Sequence, residues 1–197
     1  LSLIRSWDLQ SDIDSVGATI FHTWNVENLK ILTSVLAGED QETYSKLAAS
    51  WMFYKRFIFE ETSPWLLYLK KSKSEILHFG LENAIQRIEK ELGHETLHWT
   101  WGRMHTVKFN HPLGKVKALD YFLSMGPYPA PGNFNDISNL KHSGFADGFK
   151  VTVGPSTRRI VDFAHPENAY GILPLGNSGH QLSPFYKDQL QMYLKGE

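Results

Sequence analysis

Cysteine is missing altogether from this 197-residue sequence. Its absence excludes disulfide bonds, zinc sites built on thiolates and a cysteine nucleophile. Long apolar runs are missing too, because no stretch approaches the roughly 20 residues that a membrane-spanning helix needs. The first seven residues also lack a basic segment followed by a hydrophobic run, which a signal peptide would carry. Finally, 20 basic and 21 acidic side chains nearly cancel, so the charge gives no sign of nucleic acid or anionic lipid as the main partner.

What is present is an ordinary globular composition, with 42% hydrophobic and 13% aromatic residues. A chain of this length can bury one sizeable core, and we expect residues 1–197 to form a single domain. The first residue is leucine rather than methionine, so we expect a processed chain or an excised fragment.

Apolar residues repeat at helical spacing through residues 1–93. Asp14 and Ser15 are plausible caps for a first helix, or a pair of shorter helices, that ends near Gly38. A second helix is predicted over residues 41–59, ended by Ser63-Pro64. A third helix is the clearest prediction, because Ser72 and Glu75 have the spacing of a capping box at its start and Gly93 supplies a stop at its end. The first 93 residues are therefore predicted to be mostly helical.

Beyond Gly93 the period changes from 3.6 to 2, which predicts short strands. The runs are 106–109, 149–153, 158–163 and 169–175. Residues 165–168 read as a hairpin turn and residues 126–132 as an ordered loop. Ser183 and Pro184 are predicted to open a closing helix. Residues 94–197 are thus mostly antiparallel β with a final helix, and the fold class is α+β.

The sequence His94-Glu95-Thr96-Leu97-His98 matches H-E-x-x-H, in which two histidines one helical turn apart bind zinc. The longer pattern is out of register, since Gly102 and His105 each lie one position too far along. Gly93 also ends the preceding helix, and the residues after His98 read as extended chain. We therefore assign no metal ligand and no cofactor, and interpret both histidines as surface residues.

Serine hydrolase chemistry has no clear signature either. No G-x-S-x-G elbow exists, and Gly176-Asn177-Ser178-Gly179 lacks one residue of it. That segment reads as a turn, with anion binding a weak alternative. Arg158 and Asp162 share a face of one predicted strand, and we expect them to hold this loop and the closing helix in place. The aromatic residues at 51, 53, 54, 57 and 59 are interpreted as core that contacts more protein than this chain contains.

Several segments together resemble the end of the β-subunit in the penicillin amidase (penicillin acylase) family. They are Gly154-Pro155-Ser156-Thr157-Arg158-Arg159-Ile160-Val161-Asp162, Leu173-Pro174-Leu175-Gly176-Asn177-Ser178-Gly179 and Leu182-Ser183-Pro184-Phe185-Tyr186-Lys187-Asp188-Gln189. Further matches are Trp101-Gly102-Arg103-Met104-His105, Ser63-Pro64-Trp65, Trp7-Asp8 and Asp14-Ser15. Two positions depart from the family pattern: Asn177 replaces the usual glutamine, and Leu66 an acidic residue that is often found there.

The resemblance implies an N-terminal-nucleophile hydrolase, in which the first residue of the β-subunit attacks a linear amide with its own α-amino group as base. It also implies a sandwich of two sheets between helical layers, an oxyanion hole and a periplasmic or extracellular location. On this basis the chain is the C-terminal part of such a subunit and is inactive alone. It carries no catalytic residue, and Ser2 is not the nucleophile. Its partners are the upstream β-subunit and the α-subunit, without nucleic acid or membrane.

Substrate identity stays open among penicillins, acyl-homoserine lactones and other acylated amines, and no substrate-binding residue can be named. Two alternatives of other classes remain, a self-contained zinc hydrolase that uses His94 and His98, and a noncatalytic binding module.

Overall fold

The computed structural model of the protein describes residues 2–37, 57–58, 60, 66, 69–142 and 148–196. The helix predicted over 41–59 lies outside them apart from Phe57 and Ile58, as do the predicted stops at Gly38 and at Ser63-Pro64. Helices α1 to α6 span Ser2–Arg5, Val16–Ala37, Lys73–Leu92, Trp101–Met104, Lys117–Leu123 and Leu190–Lys195. Strands β1 to β6 span Thr106–Phe109, Met125–Pro129, Lys141–His142, Val151–Val153, Arg158–Ile160 and Tyr170–Ile172. The α+β prediction is confirmed.

The two long helices begin where their capping residues predict. The Ser15 hydroxyl accepts a hydrogen bond from the backbone N–H of Ala18 at 3.1 Å, and α2 then runs unbroken for 22 residues. At α3 the Ser72 side chain and the Glu75 carboxylate cap each other's backbone N–H groups. Gly93 ends α3 with φ +87°, a conformation that favours glycine. One long helix, rather than two short ones, therefore forms the first layer.

Helices α2 and α3 pack against each other around a close contact. Gly80 of α3 faces Asn28 of α2, and both residues are buried. The Trp24 indole of α2 donates to the Leu77 carbonyl of α3 at 2.8 Å. Because glycine has no side chain at the crossing, the two backbones approach closely enough for this bond to form.

Three antiparallel strand pairs form among the described residues: β1 with β2, β3 with β4, and β5 with β6. A parallel bridge between Thr106 and Lys150 links the first two pairs. The predicted turn at residues 165–168 is confirmed, since Pro166–Asn168 is a 3-10 turn that joins β5 to β6. Of the predicted strand runs, the first appears in full and the others are shorter than predicted.

Residues 126–132 were predicted as a loop, but Met125–Pro129 is strand β2. Proline lacks the backbone N–H that strand pairing needs, so the several prolines in this segment favoured a loop. Among the described residues β2 pairs only with β1, so one side of β2 needs no backbone donor. Pro127 and Pro129 are tolerated for this reason.

The residues after His98 were predicted to be extended, but Trp101–Met104 is a helical turn. The backbone N–H groups of Trp101 and Gly102 donate to the carbonyls of Ser15 and Ile13, at 3.1 and 2.7 Å. The loop before α2 thus satisfies the first donors of the turn, and this tertiary contact outweighs the strand preference of the aromatic residues.

The closing helix begins at Leu190 rather than at Ser183. The segment between them bonds to the preceding loop, because Phe185 accepts from the Ser178 N–H at 3.1 Å and Leu175 accepts from the Gln189 N–H at 2.8 Å. These bonds hold the segment in turns, and α6 starts only where they end. Within the described helices, none combines the length and the apolar character that crossing a membrane requires.

The helix crossing yields a first prediction. A Cβ at Gly80 would overlap the side chain of Asn28, so we expect Gly80→Ala to lower the free energy of unfolding by about 1 to 3 kcal/mol. The matched control is Ser74→Ala, an exposed site on the same helix, which helix propensity should leave unchanged or stabilise by a few tenths of a kcal/mol. Urea denaturation of both variants measures the difference. Equal stability of the two would mean that the crossing is not tight.

Candidate functional site

A group of aromatic rings that includes three histidines surrounds Trp101, which is fully buried. His105 stacks on the indole with centroids 4.7 Å apart and planes 10° apart, and His22 lies against it at 4.6 Å. His142 and Phe149 meet the ring edge-on at 5.7 and 5.2 Å. We call these five residues the Trp101 cluster. It joins α2, α4 with the residue that follows it, the end of β3 and the segment just before β4.

The hydrogen bonds of His22 determine where its proton lies. Its Nε2 is 3.0 Å from the Ser11 hydroxyl, and its Nδ1 is 3.0 Å from the Asn133 amide nitrogen. The Asn133 amide oxygen accepts from the Phe134 N–H at 2.6 Å, which fixes the orientation of that amide. Asn133 therefore donates to Nδ1, and the proton of a neutral His22 is on Nε2.

Ser11, His22 and Asn133 consequently resemble a catalytic triad only in composition. A serine nucleophile needs a histidine whose Nε2 accepts the hydroxyl proton, while Nδ1–H donates to the third residue. Here both directions are reversed. His22 is also only 6% exposed, so the group is suited to holding structure rather than to attacking a substrate.

His105 lies between two backbone carbonyls. Its Nδ1 is 2.7 Å from the Ala130 oxygen and its Nε2 is 3.0 Å from the Leu140 oxygen. A neutral imidazole can donate to only one of them. Burial lowers the pKa of His105, while the two carbonyls act in the opposite direction.

Within the part of the chain that the structure describes, His142 has no hydrogen-bond partner on either ring nitrogen, and both atoms are buried. Burial, followed by His105, His22 and the Arg87 guanidinium, lowers its pKa to about 3. Burial and the nearby His105 likewise lower the pKa of His22 to about 3. At neutral pH both rings are therefore uncharged.

The Trp101 cluster fixes the loop that follows β2. The Trp101 indole donates to the Gly132 carbonyl at 3.0 Å, and the Gly132 N–H donates to the Ser11 carbonyl at 2.7 Å. The cluster also bonds to Ala130 and Asn133. Three of the four residues 130–133 are therefore anchored to the cluster or to Ser11. The role that this arrangement supports is to hold the backbone of this loop in position.

Sequence reasoning did not identify this cluster, although one signal was present. Ala18, His22 and Val26 are spaced by four, which places His22 on the buried face of α2. In the sequence, His105 was noted only as the last residue of the family motif Trp101-Gly102-Arg103-Met104-His105. No sequence pattern predicts that His142 belongs to this cluster, because it lies on a strand that is distant in the sequence.

The structure does not bring His94 and His98 together as a helical pair. Gly93 ends α3, and Thr96–His98 is a single 3-10 turn, which confirms the local break predicted there. The side chains are 87% and 59% exposed and contact different carboxylates, Glu89 and Glu95. Among the described residues, no three potential ligands lie close enough to hold a metal.

Arg158 and Asp162 have separate roles. Arg158 donates to the Tyr193 carbonyl and, at 3.1 Å, to the Ser138 hydroxyl, and its guanidinium lies 4.3 Å from the Tyr193 ring centroid. It therefore does hold the closing helix. Asp162 does not, because β5 ends at Ile160 and the Asp162 carboxylate caps a local turn by accepting from the Ala164 N–H at 2.9 Å.

Beside Arg158 an open groove of about 620 Å³ lies between the β5–β6 hairpin, the loop before β3 and α6. We call it the hairpin groove. Its lining includes Ile137, Arg158, Arg159, Ile160, Tyr170 and Met192. The Gly176–Gly179 segment does not line it, and instead packs against Phe185 and Asp188.

The histidines predict acid sensitivity. Unfolded histidine titrates near 6.5, whereas folded His22 and His142 titrate near 3. Between these values the unfolded chain binds more protons, so stability is full above pH 6.5 and falls as the pH decreases towards 3. We expect His142→Phe to reduce that slope by up to about 1.4 kcal/mol per pH unit.

Denaturant unfolding from pH 7 to pH 4 measures the slope. The exposed His78→Gln is the control and should leave it unchanged. Identical slopes for His142→Phe and the parent would contradict a neutral buried His142.

The two neighbouring arginines provide a second test. We expect Arg158→Met to destabilise the chain by about 1 to 3 kcal/mol, because the Tyr193 carbonyl and the Ser138 hydroxyl both lose their donor. The exposed Arg159→Met and Asp162→Ala should each cost less than about 1 kcal/mol. Thermal or urea unfolding compares the three, and a larger loss for Asp162→Ala than for Arg158→Met would reverse the assignment.

Comparison with known proteins agrees with the motifs. The family model for penicillin amidase matches residues 1–197. Acyl-homoserine lactone acylase QuiP of Pseudomonas aeruginosa is 32% identical over 139 residues, which are 64% of this chain and 16% of that protein. QuiP of Pseudomonas syringae pv. syringae is 33% identical over 132 residues, 65% of this chain and 16% of that protein. The matched residues span about a sixth of the length of these relatives. Because the family model covers every residue, the chain belongs to the penicillin amidase family.

Proposed function

We propose that this chain is the C-terminal structural portion of an enzyme that hydrolyses the linear amide bond of acylated amines, and that acyl-homoserine lactones are its substrates. The observation that carries the proposal is the family match over all 197 residues. The substrate class is taken from the names of the relatives, which are acyl-homoserine lactone acylases. Their greater length supports a larger precursor, in which residues 1–197 form one domain.

In this proposal the chemistry is divided between parts of the precursor. The nucleophile, its α-amino base and the oxyanion donors belong to residues upstream of this chain. This chain contributes no catalytic residue. Its own residues position backbone: the Trp101 cluster fixes the loop after β2, and Arg158 fixes α6.

The geometry of Ser11 and His22 supports this division. Their hydrogen bond, with Nε2 as the donor, gives the serine no base. His94 and His98 are exposed and point to separate glutamates, which disfavours the zinc hydrolase. The binding module is disfavoured because the relatives are named as acylases.

The proposed location is the periplasm or the extracellular space, and the proposed partners are the upstream β-subunit and the α-subunit. The absence of cysteine fits either oxidising compartment, although it does not require one.

The decisive experiment compares the full-length polypeptide with the 197-residue chain. We expect the full-length protein to release homoserine lactone and a free fatty acid from acyl-homoserine lactones, followed by mass spectrometry. The chain alone should stay at background with these substrates and with phenylacetyl amides. Ser11→Ala in the full-length protein should retain activity.

Three outcomes would contradict parts of the proposal. Turnover by the 197-residue chain, with contaminating acylase excluded, would overturn its structural role. Loss of activity in a folded Ser11→Ala protein would make Ser11 catalytic. Hydrolysis of penicillins but not of acyl-homoserine lactones would overturn the substrate class.

A further inference from the structure

His105 holds both ends of the loop that joins β2 to β3. Its Nδ1 faces the Ala130 carbonyl at 2.7 Å, and its Nε2 faces the Leu140 carbonyl at 3.0 Å. The His105 carbonyl also accepts from the Ala130 N–H at 3.0 Å. These contacts do not weaken in acid, because an imidazolium donates to both carbonyls at once. The two ends of the loop therefore stay fixed when this ring gains a proton.

The middle of the loop, residues 133–137, is attached in a different way. The Phe134 N–H bonds inside the segment, to the side-chain oxygen of Asn133 at 2.6 Å, and the Ile137 side chain is fully exposed. Among the described residues, the hydrogen bond that ties this segment to a helix or strand runs from the Asn133 amide to Nδ1 of His22, at 3.0 Å. We call residues 133–137 the flap.

The bond between Asn133 and His22 depends on where a proton lies. A proton on Nδ1 replaces the acceptor by a donor, so that two N–H groups face each other. The amide cannot turn to offer its oxygen without losing the Phe134 N–H. The Ser11 contact is insensitive, because Nε2 of His22 donates to this hydroxyl in both states. The Lys141 ammonium, 4.5 Å from the Phe134 ring centroid, also stays charged in acid.

The groups around His22 oppose a proton on the ring while the flap is closed. His105 follows α4, and His142 ends β3 with its ring centroid 6.4 Å from that of His22. Arg87 of α3 acts on His142, and Asp136 of the flap acts on His105. No described carboxylate makes an ion pair with His22. Burial, followed by His105, lowers the pKa of the enclosed His22 to about 3, and contact with water would return it towards 6.5.

We propose that the contact between His22 and Asn133 is an acid-sensitive latch: a proton on Nδ1 of His22 releases the flap, while His105 keeps both ends of the loop in place. Opening the flap requires no separation of α2 from α3 and no loss of strand pairing, so it differs from the global acid sensitivity described above. Histidine is suited to this role because it titrates in mild acid once water reaches it. The latch does not depend on which amide the enzyme hydrolyses.

Hydrogen exchange of the full-length protein at pH 7 and pH 5, followed by mass spectrometry and corrected for intrinsic rates, tests the latch. One proton gained by the open flap should speed exchange of peptides that contain the Phe134 amide about 25-fold between these pH values. At both pH values these peptides should exchange at least about tenfold faster than peptides of α3. Equal corrected rates in the flap and α3, or an acceleration of less than about threefold, would overturn the proposal.

Variants identify the ring and the partner. Asn133→Asp places an acceptor opposite Nδ1, so its flap should exchange no faster at pH 5 than at pH 7. Asn133→Ala removes the latch, and its flap should exchange rapidly at both pH values. His142→Phe is the matched control, because it removes a neighbouring buried histidine and should keep the 25-fold response of about the same size. Slow exchange of α3 shows that each variant is folded. Loss of the response in His142→Phe, or its persistence in Asn133→Asp, would overturn the assignment to His22.

Discussion

The stacking of Trp101 between His22 and His105 is the interaction on which the rest of the fold depends. The indole is fully buried and contacts rings from α2, the end of α4 and the β3–β4 region. Its N–H also fixes Gly132. Helical layer, strands and loop therefore meet at one side chain. A smaller residue would remove these contacts together, because interiors are close-packed and relax only partly around a cavity.

Such a centre restricts the surrounding chain because it is polar as well as aromatic. Each buried ring nitrogen needs a partner of the right type or must stay uncharged. His22 meets this requirement with the Asn133 amide on one side and the Ser11 hydroxyl on the other, whereas a neutral His105 donates to only one of the two carbonyls that it faces. His142 meets it only by remaining neutral. These conditions select one register of the loop after β2, since a shift by one residue would remove the Asn133 amide from His22.

Local signals predicted the elements that local interactions stabilise. The capping box at Ser72, the cap at Ser15 and the turn at Pro166–Asn168 all formed as expected, because their hydrogen bonds join near neighbours. The errors fell where distant residues decide. Trp101 is helical because Ser15 and Ile13 accept from its turn, and α6 starts late because residues 175–178 bind the segment before it. Asp162 was placed on a strand that ends two residues earlier. The Trp101 cluster itself combines residues more than 100 positions apart, so no periodicity could reveal it.

The Trp101 cluster and the β5–β6 hairpin are packed in opposite ways. Around Trp101 the polar groups mostly find partners within the chain, and the apolar rings are covered. At the β5–β6 hairpin the reverse holds, because Arg158 completes the packing of α6 while Ile160 and Tyr170 remain open. Segments that resemble penicillin amidases occur at this hairpin, and others, such as the one from Trp101 to His105, are largely buried. The family-specific sequence therefore includes both the most tightly packed part of the described chain and one of its open surfaces.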